Sequence, residues 1–208
     1  MEVIEENTKK TPLLDVYVSA IPSTDTLTPL YPPERNHEIK IAKNESVQRQ
    51  KYFVWKLLAY ALKHSLGKDI TKFSFKKSTS GKWKCDGAEF SLAHSENAVA
   101  VAVSTFPVGV DIEIEKREID ERLSQKILNE CEYLEYLSSN EKRAFLLKKW
   151  VEKESVFKSL DQNGFFTSQP KTYSTHTRVA EIPINGENYL LGVASDYIES
   201  LRIIPTKL

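Results

Sequence analysis

From Val108 to Glu115 the chain reads Val-Gly-Val-Asp-Ile-Glu-Ile-Glu, with apolar and acidic residues alternating at a period of two. A β-strand sends successive side chains to opposite faces, so Val108, Val110, Ile112 and Ile114 go one way and Asp111, Glu113 and Glu115 the other. The apolar side demands a core. The acidic side is either the solvated outer face of an antiparallel strand or a place where a cation relieves the repulsion among three carboxylates. Hard divalent cations such as Mg²⁺ are held by a few carboxylate oxygens together with substrate phosphates.

Around this strand the chain divides into recognisable stretches. Leu14 to Val18 reads as a short strand, followed by a Pro/Ser/Thr-rich loop over 22–33. From about Ser46, residues Phe53, Val54, Leu57, Leu58, Ala61 and Leu62 recur at three-to-four spacing and Gly67 marks a stop, which predicts an amphipathic helix. Lys51, Lys56 and Lys63 fall off the stripe and give that helix a basic side. Strand patterns follow at 72–75, 89–92, 98–104 and 108–115. Helical patterns come next at about 119–138 and 141–160, the second closed by Asn163-Gly164. The tail returns to strands at 189–194 and 201–204, with a turn signal at Asn185-Gly186. This order predicts an α+β fold with helices packed on antiparallel sheets.

Composition narrows the function. With 29 Lys+Arg against 29 Asp+Glu in 208 residues, the surface is not built to coat nucleic acid or anionic lipid, so any phosphate binding is local. The longest apolar run, Ala98 to Val103, is far short of the ~20 residues that span a bilayer. The start, MEVIEENTKK, lacks the basic patch and apolar run of a signal peptide. A cytoplasmic protein with no membrane and no nucleic-acid partner is expected. Cys85 and Cys131 form no CxxC pair and read as reduced thiols. The Asn44-Glu-Ser46 sequon then has no compartment in which to act.

Three further segments carry chemistry. In Trp150-Val-Glu-Lys-Glu-Ser-Val-Phe-Lys158, Glu154 shares the helix face of Trp150, Val151 and Phe157, and a carboxylate aimed at a core is costly unless paired or metal-bound. Lys158 lies one turn on, where a plain i,i+4 pair is the simpler reading. His94 and Ser95 close a strand at a place where a loop presents them to a ligand. Gly81-Lys82 offers a flexible backbone and a cation.

Taken in order, Gly81-Lys82, Phe90-Ser-Leu-Ala-His-Ser95, Gly109-Val-Asp-Ile-Glu113 and Trp150 to Lys158 resemble the 4'-phosphopantetheinyl transferase superfamily. The length is similar to that of its larger, monomeric type, which activates peptide synthetases. The resemblance implies two similar α/β halves related by a pseudo-two-fold, over residues 1–105 and 106–208, with the metal and catalytic motifs in the second. It implies Mg²⁺-dependent transfer, with Mn²⁺ as the other candidate ion, of the phosphopantetheine arm of coenzyme A, the co-substrate, to a serine of an apo acyl or peptidyl carrier protein, releasing 3',5'-ADP. By motif position, Asp111, Glu113 and Glu154 hold the metal, Glu154 and Lys158 are catalytic, and Lys82, His94, Ser95, Arg49 and Lys56 contact coenzyme A. Two positions depart from the family: Ala93 stands where Ser is common before His94, and Trp83 where Pro is common after Lys82. A catalytically silent protein that binds coenzyme A or a carrier is the alternative, and a Mg²⁺-dependent phosphodiester hydrolase is a rival that the helical Glu154–Lys158 spacing speaks against.

Overall fold

A computed structural model describes residues 12–23, 26–161 and 175–208. The chain opens with strand β1 (Leu14–Ala20), then helices α1 (Pro33–Lys40) and α2 (Glu45–Leu66). A hairpin of β2 (Phe75–Lys77) and β3 (Trp83–Cys85) precedes β4 (Glu89–Ser95), β5 (Ala98–Ser104) and β6 (Gly109–Ile114). Helices α3 (Ser124–Ile127), α4 (Glu130–Ser138) and α5 (Lys142–Ser159) follow, and β7 (Thr177–Ile184), β8 (Glu187–Ala194) and β9 (Leu201–Pro205) close the described chain. The α+β class with antiparallel sheets is the one expected.

Two sheets share one core. The first has the order β4-β5-β1-β9 and the second β6-β8-β7. In each, a strand and a helix lead to an antiparallel pair: β1–α2–β4–β5 gives the order β4-β5-β1, and β6–α5–β7–β8 gives β7-β8-β6. The same connectivity therefore occurs twice. Strand β9 crosses the 105/106 division and pairs in parallel with β1, Leu14 opposite Leu201. Asp15, fully buried on β1, fastens it by accepting from Arg202 Nε at 2.6 Å and from Arg202 Nη2 at 2.7 Å.

The Ala/Val alternation of β5 is explained by two different neighbours. Ala98, Ala100 and Ala102 face the second sheet, among Val110, Ile112 and Ile114 of β6, while Val99, Val101 and Val103 face α2. Small residues let the sheets approach and branched ones fill the gap beneath the helix. Helix α2 is capped by Asn44, whose side chain accepts from Val47 N at 2.9 Å, so the sequon's asparagine has a structural task. Trp55 on α2 anchors the hairpin, its ring 5.2 Å from Phe75 and 5.3 Å from Trp83.

The chain departs from the sequence-based expectations at four places. Helix α1 starts at Pro33, where only a loop is expected; it buries just Arg35 and Ile39 and so leaves no apolar stripe to read. The strand expected at 72–75 lies at 75–77, preceded by a 3-10 turn over Ile70–Lys72. The single helix expected over 119–138 is broken: Leu128 is extended, and Asn129 starts a new helix through a capping box with Glu132. Strands β3 and β7 are additional, and β7 meets β8 through Asn185 and Gly186, both at positive φ, as the turn signal predicts. Asn163-Gly164 lies outside the described residues. Among those described, no helix is long and apolar enough to cross a membrane.

Candidate functional site

Helix α5 lies on the acidic face of β6, and two glycines set how closely. A Cβ on Gly109 would stand 1.8 Å from the Ser155 carbonyl oxygen, and one on Gly192 of β8 would stand 2.6 Å from that of Val151. Only glycine permits this backbone-to-backbone approach. It places Lys158 against the strand: its Nζ donates to Asp111 Oδ1 at 2.6 Å. The alternation read from the sequence holds, with Val110, Ile112 and Ile114 in the intersheet core and Asp111 and Glu113 beneath the helix.

Each carboxylate sits in a different environment. Asp111 is buried, and its second oxygen, Oδ2, has no hydrogen-bond partner. Glu113 accepts from Ser95 Oγ at 2.6 Å and is ion-paired with Arg117, whose guanidinium lies 5.4 Å from the Trp150 ring centre. Glu154 is half-buried, and its carboxyl is pushed up to about 7, first by desolvation and then by the Asp111 charge, against the opposing pull of Lys158 and Arg117. Asp111, Lys158 and Arg117 thus all act on Glu154, and Arg117 links it to Glu113, from β6, the turn after it and α5.

The other expected residues divide. His94 stands on β4, open to water in a recess, with its pKa held below the usual histidine range by desolvation there and by the nearby cations Lys158, Arg35 and Lys51. Lys82 donates from Nζ to the Lys158 carbonyl at 2.7 Å and to that of Val108 at 3.4 Å, and burial lowers its pKa. Both lysines line a cavity of about 360 Å³ with Trp83, Phe90, Leu92 and Phe157. Ser95 and Glu113 border a second cavity of about 540 Å³ with Arg117. Arg49 donates to the Pro22 carbonyl and lies 5.2 Å from the Phe53 ring centre, and Lys56 Nζ lies 5.7 Å from the same ring. The α1–α2 cations beside His94 are Arg35 and Lys51.

Several contributors, Ser91 and Arg117 among them, are not singled out by the sequence. Ser91 and the expected Ser95 join β4 to β6, their hydroxyls accepting from Val110 N at 3.0 Å and Ile114 N at 3.3 Å. Nothing local marks Ser91 as a bridge between strands. Arg117 is one of many surface-like cations in the chain. Lys153, inside the most charged motif, is structural: it is buried and donates to Glu132 at 2.5 Å and to the Ile127 carbonyl at 2.6 Å, tying α4 to α5.

The donor set suits a hard divalent ion. Carboxylate oxygens are its preferred ligands, and a buried, unpartnered Asp111 Oδ2 is a group that a cation would satisfy. Among the described residues, no three His, Cys, Asp or Glu side chains are already gathered to hold a metal ion. Lys158 and Arg117 are the cations now on Asp111 and Glu113.

Residues 107–189, which hold β6, α5 and most of the second sheet, match the family model of the 4'-phosphopantetheinyl transferase superfamily. The resemblance carried by Gly109–Glu113 and Trp150–Lys158 is borne out over that span. Among curated proteins, the chain is 34% identical over 94 residues to the "4'-phosphopantetheinyl transferase gsp" of Aneurinibacillus migulanus, which covers 44% of this chain and 39% of that protein. The chain thus spans about two fifths of the length of the curated relative that it matches. A solved structure, holo-[acyl-carrier-protein] synthase of Thermotoga maritima, aligns at 19% identity and a TM-score of 0.33 over 43% of this chain and 62% of that one.

Proposed function

We propose that this protein transfers the 4'-phosphopantetheine arm of coenzyme A to a serine hydroxyl of an apo acyl or peptidyl carrier protein, with 3',5'-ADP as the leaving group and Mg²⁺ as the metal. The observation that carries the reading is the convergence of Asp111 of β6 with Glu154 and Lys158 of α5, with the Glu154 carboxyl pushed up to about 7 and Asp111 Oδ2 unpartnered. The family match over residues 107–189 and the name of the Aneurinibacillus relative support it. The two halves, with their repeated strand order, are read here as related by a pseudo-two-fold.

The chemistry follows from the residues. The carrier serine oxygen attacks the phosphorus that bears the pantetheine arm, the bond to the 3',5'-ADP oxygen breaks, and the serine proton goes to Glu154. In the metal-free site burial raises the Glu154 carboxyl, and a raised carboxylate is a better proton acceptor than an ordinary one. Lys158 and Lys82, on one cavity wall, offset charge on the diphosphate, and His94 adds a donor from β4. Ser95 fixes the orientation of Glu113, whose other oxygen Arg117 occupies. When bound, Mg²⁺ supplies a fixed positive charge against the diphosphate, and Asp111, Glu113 and Glu154 are the residues to hold it. Arg49 and Lys56 are assigned to the nucleotide end of coenzyme A.

The test is mass spectrometry of apo carrier proteins incubated with the protein, coenzyme A and Mg²⁺, with an EDTA control. The expected result is a metal-dependent gain of one phosphopantetheine on the carrier. Absence of any gain across several carriers, in a protein that still binds coenzyme A, identifies a silent binder instead.

A further inference from the structure

The cavity shared by Lys82 and Lys158 is closed on one side by the β2–β3 hairpin, which belongs to neither large sheet. Two strands of three residues do not hold a position in water by themselves. Phe75 at the hairpin's open end and Trp83 beside the turn pack on the Trp55 ring, and Glu38 of α1 takes Lys77 and the Trp83 ring N–H. From the other half of the molecule, Asp161 reaches the turn and the strand after it. That carboxylate accepts from Ser78 Oγ at 3.1 Å, from Ser80 Oγ and from Lys84 Nζ at 2.6 Å.

Two features set this contact apart from an ordinary surface pair. Asp161 is two residues past the end of α5 and adopts φ 51, a left-handed helix ending that Asp tolerates better than most residues, so the contact is made from the turn that ends the helix. The three groups it gathers also flank Lys82, whose ammonium donates to the Lys158 carbonyl. A phosphate oxygen is a stronger acceptor for that ammonium than a peptide carbonyl. An arriving diphosphate therefore finds Lys82 already beside Lys158, provided that the hairpin tip stays in place.

We infer that Asp161 is a positioning residue: it clamps the hairpin tip to the end of α5 and so keeps Lys82 and Lys158 on one cavity wall, shaped for a diphosphate ligand. The inference rests on the transferase reading for the identity of that ligand, coenzyme A. A merely structural residue would lower stability without selectively weakening the ligand.

The experiment compares wild-type protein with Asp161→Asn in three readouts: calorimetric binding of coenzyme A, steady-state KM and kcat, and amide hydrogen exchange over residues 75–85. The expected result for Asp161→Asn is a Kd and KM for coenzyme A raised about tenfold, a kcat changed by less than about threefold, and faster exchange in the hairpin. Asp161→Glu should recover part of the affinity. If Asp161→Asn does not fold, Ser80→Ala combined with Lys84→Met removes two of the three contacts from the hairpin side and should give the same pattern, more weakly. Unchanged binding and unchanged hairpin exchange would overturn the inference, as would a collapse of kcat with the hairpin still protected. Wild-type protein that binds coenzyme A but transfers nothing defeats the transferase reading alone, since binding and exchange still decide the clamp.

Discussion

Helices α2 and α5 occupy corresponding places in the chain, each following the first strand of its half and each covering a sheet, yet they bury opposite chemistry. The residues that α2 buries are all apolar or aromatic: Tyr52, Phe53, Val54, Trp55, Leu57, Leu58, Ala61 and Leu62. Those that α5 buries include Lys153, Ser155 and Ser159, and its half-buried positions include Glu154 and Lys158. The first helix stands off its sheet on large side chains over Val99, Val101 and Val103, whereas the second rests its backbone on glycines. Side-chain packing fills space and stabilises. Backbone packing brings the helix close enough for Lys158 and Glu154 to meet the strand carboxylates.

The comparison can be broken from either side. Trp55→Ala should remove the anchor of α2 and cost about 3–5 kcal/mol in urea unfolding, as buried aromatic truncations do. A cost below about 1 kcal/mol would mean that α2 is not the scaffold helix. On α5, Glu154→Gln should lower kcat by about a hundredfold or more while the protein stays folded and binds coenzyme A. Near-normal turnover would remove Glu154 as the proton acceptor.

Gly109→Ala tests the backbone contact. Its Cβ would collide with the Ser155 carbonyl, so α5 must shift; a loss of about 2–3 kcal/mol is expected together with reduced turnover. Full activity in that variant would show that the close approach is unnecessary.

A pH experiment sharpens the difference in burial. In metal-free protein Glu154 titrates at about 7 when folded, against an ordinary value of 4.5, so the folded chain binds the extra proton between those values. Stability from this group is therefore complete below about pH 4.5 and is lost as pH rises through 7, by about 2 kcal/mol. With EDTA present, Glu154→Gln should be more stable than wild type at pH 8 and close to it at pH 4.5. A difference independent of pH would contradict the assignment.

The smallest effect concerns Arg117. Since it occupies Glu113, Arg117→Gln should tighten Mn²⁺ or Mg²⁺ binding by about threefold in calorimetry, the scale of one partly exposed ion pair. Weaker binding would show that Arg117 supports the metal site and does not compete with it.

Much of the fold was legible where one periodicity dominates. The strict alternation at 108–115, the three-to-four stripe after Ser46 and the Asn185-Gly186 turn each specify an element through local geometry. Elements whose pattern is weak were not legible: α1 buries two residues, and β3 and β7 present mostly half-exposed or exposed side chains. The break at Leu128 escaped because Asn129 and Glu132, which form the capping box, lie inside a run that reads as helical throughout.

For the site, the sequence by itself determined which chemical groups are available and on which face of a local element each stands. The acidic face of β6, the inward Glu154 and the cation one turn on from it follow from periods of two and of about 3.6, which need no knowledge of distant residues. The tertiary structure alone decided which of those faces meet. Lys158 reaches Asp111 across 47 positions of chain because Gly109 and Gly192 let α5 descend, Ser95 turns to Glu113, and Asp161 draws the 78–84 segment to the end of the helix. Such contacts depend on closest approach between backbones remote in sequence, and no local period encodes that distance.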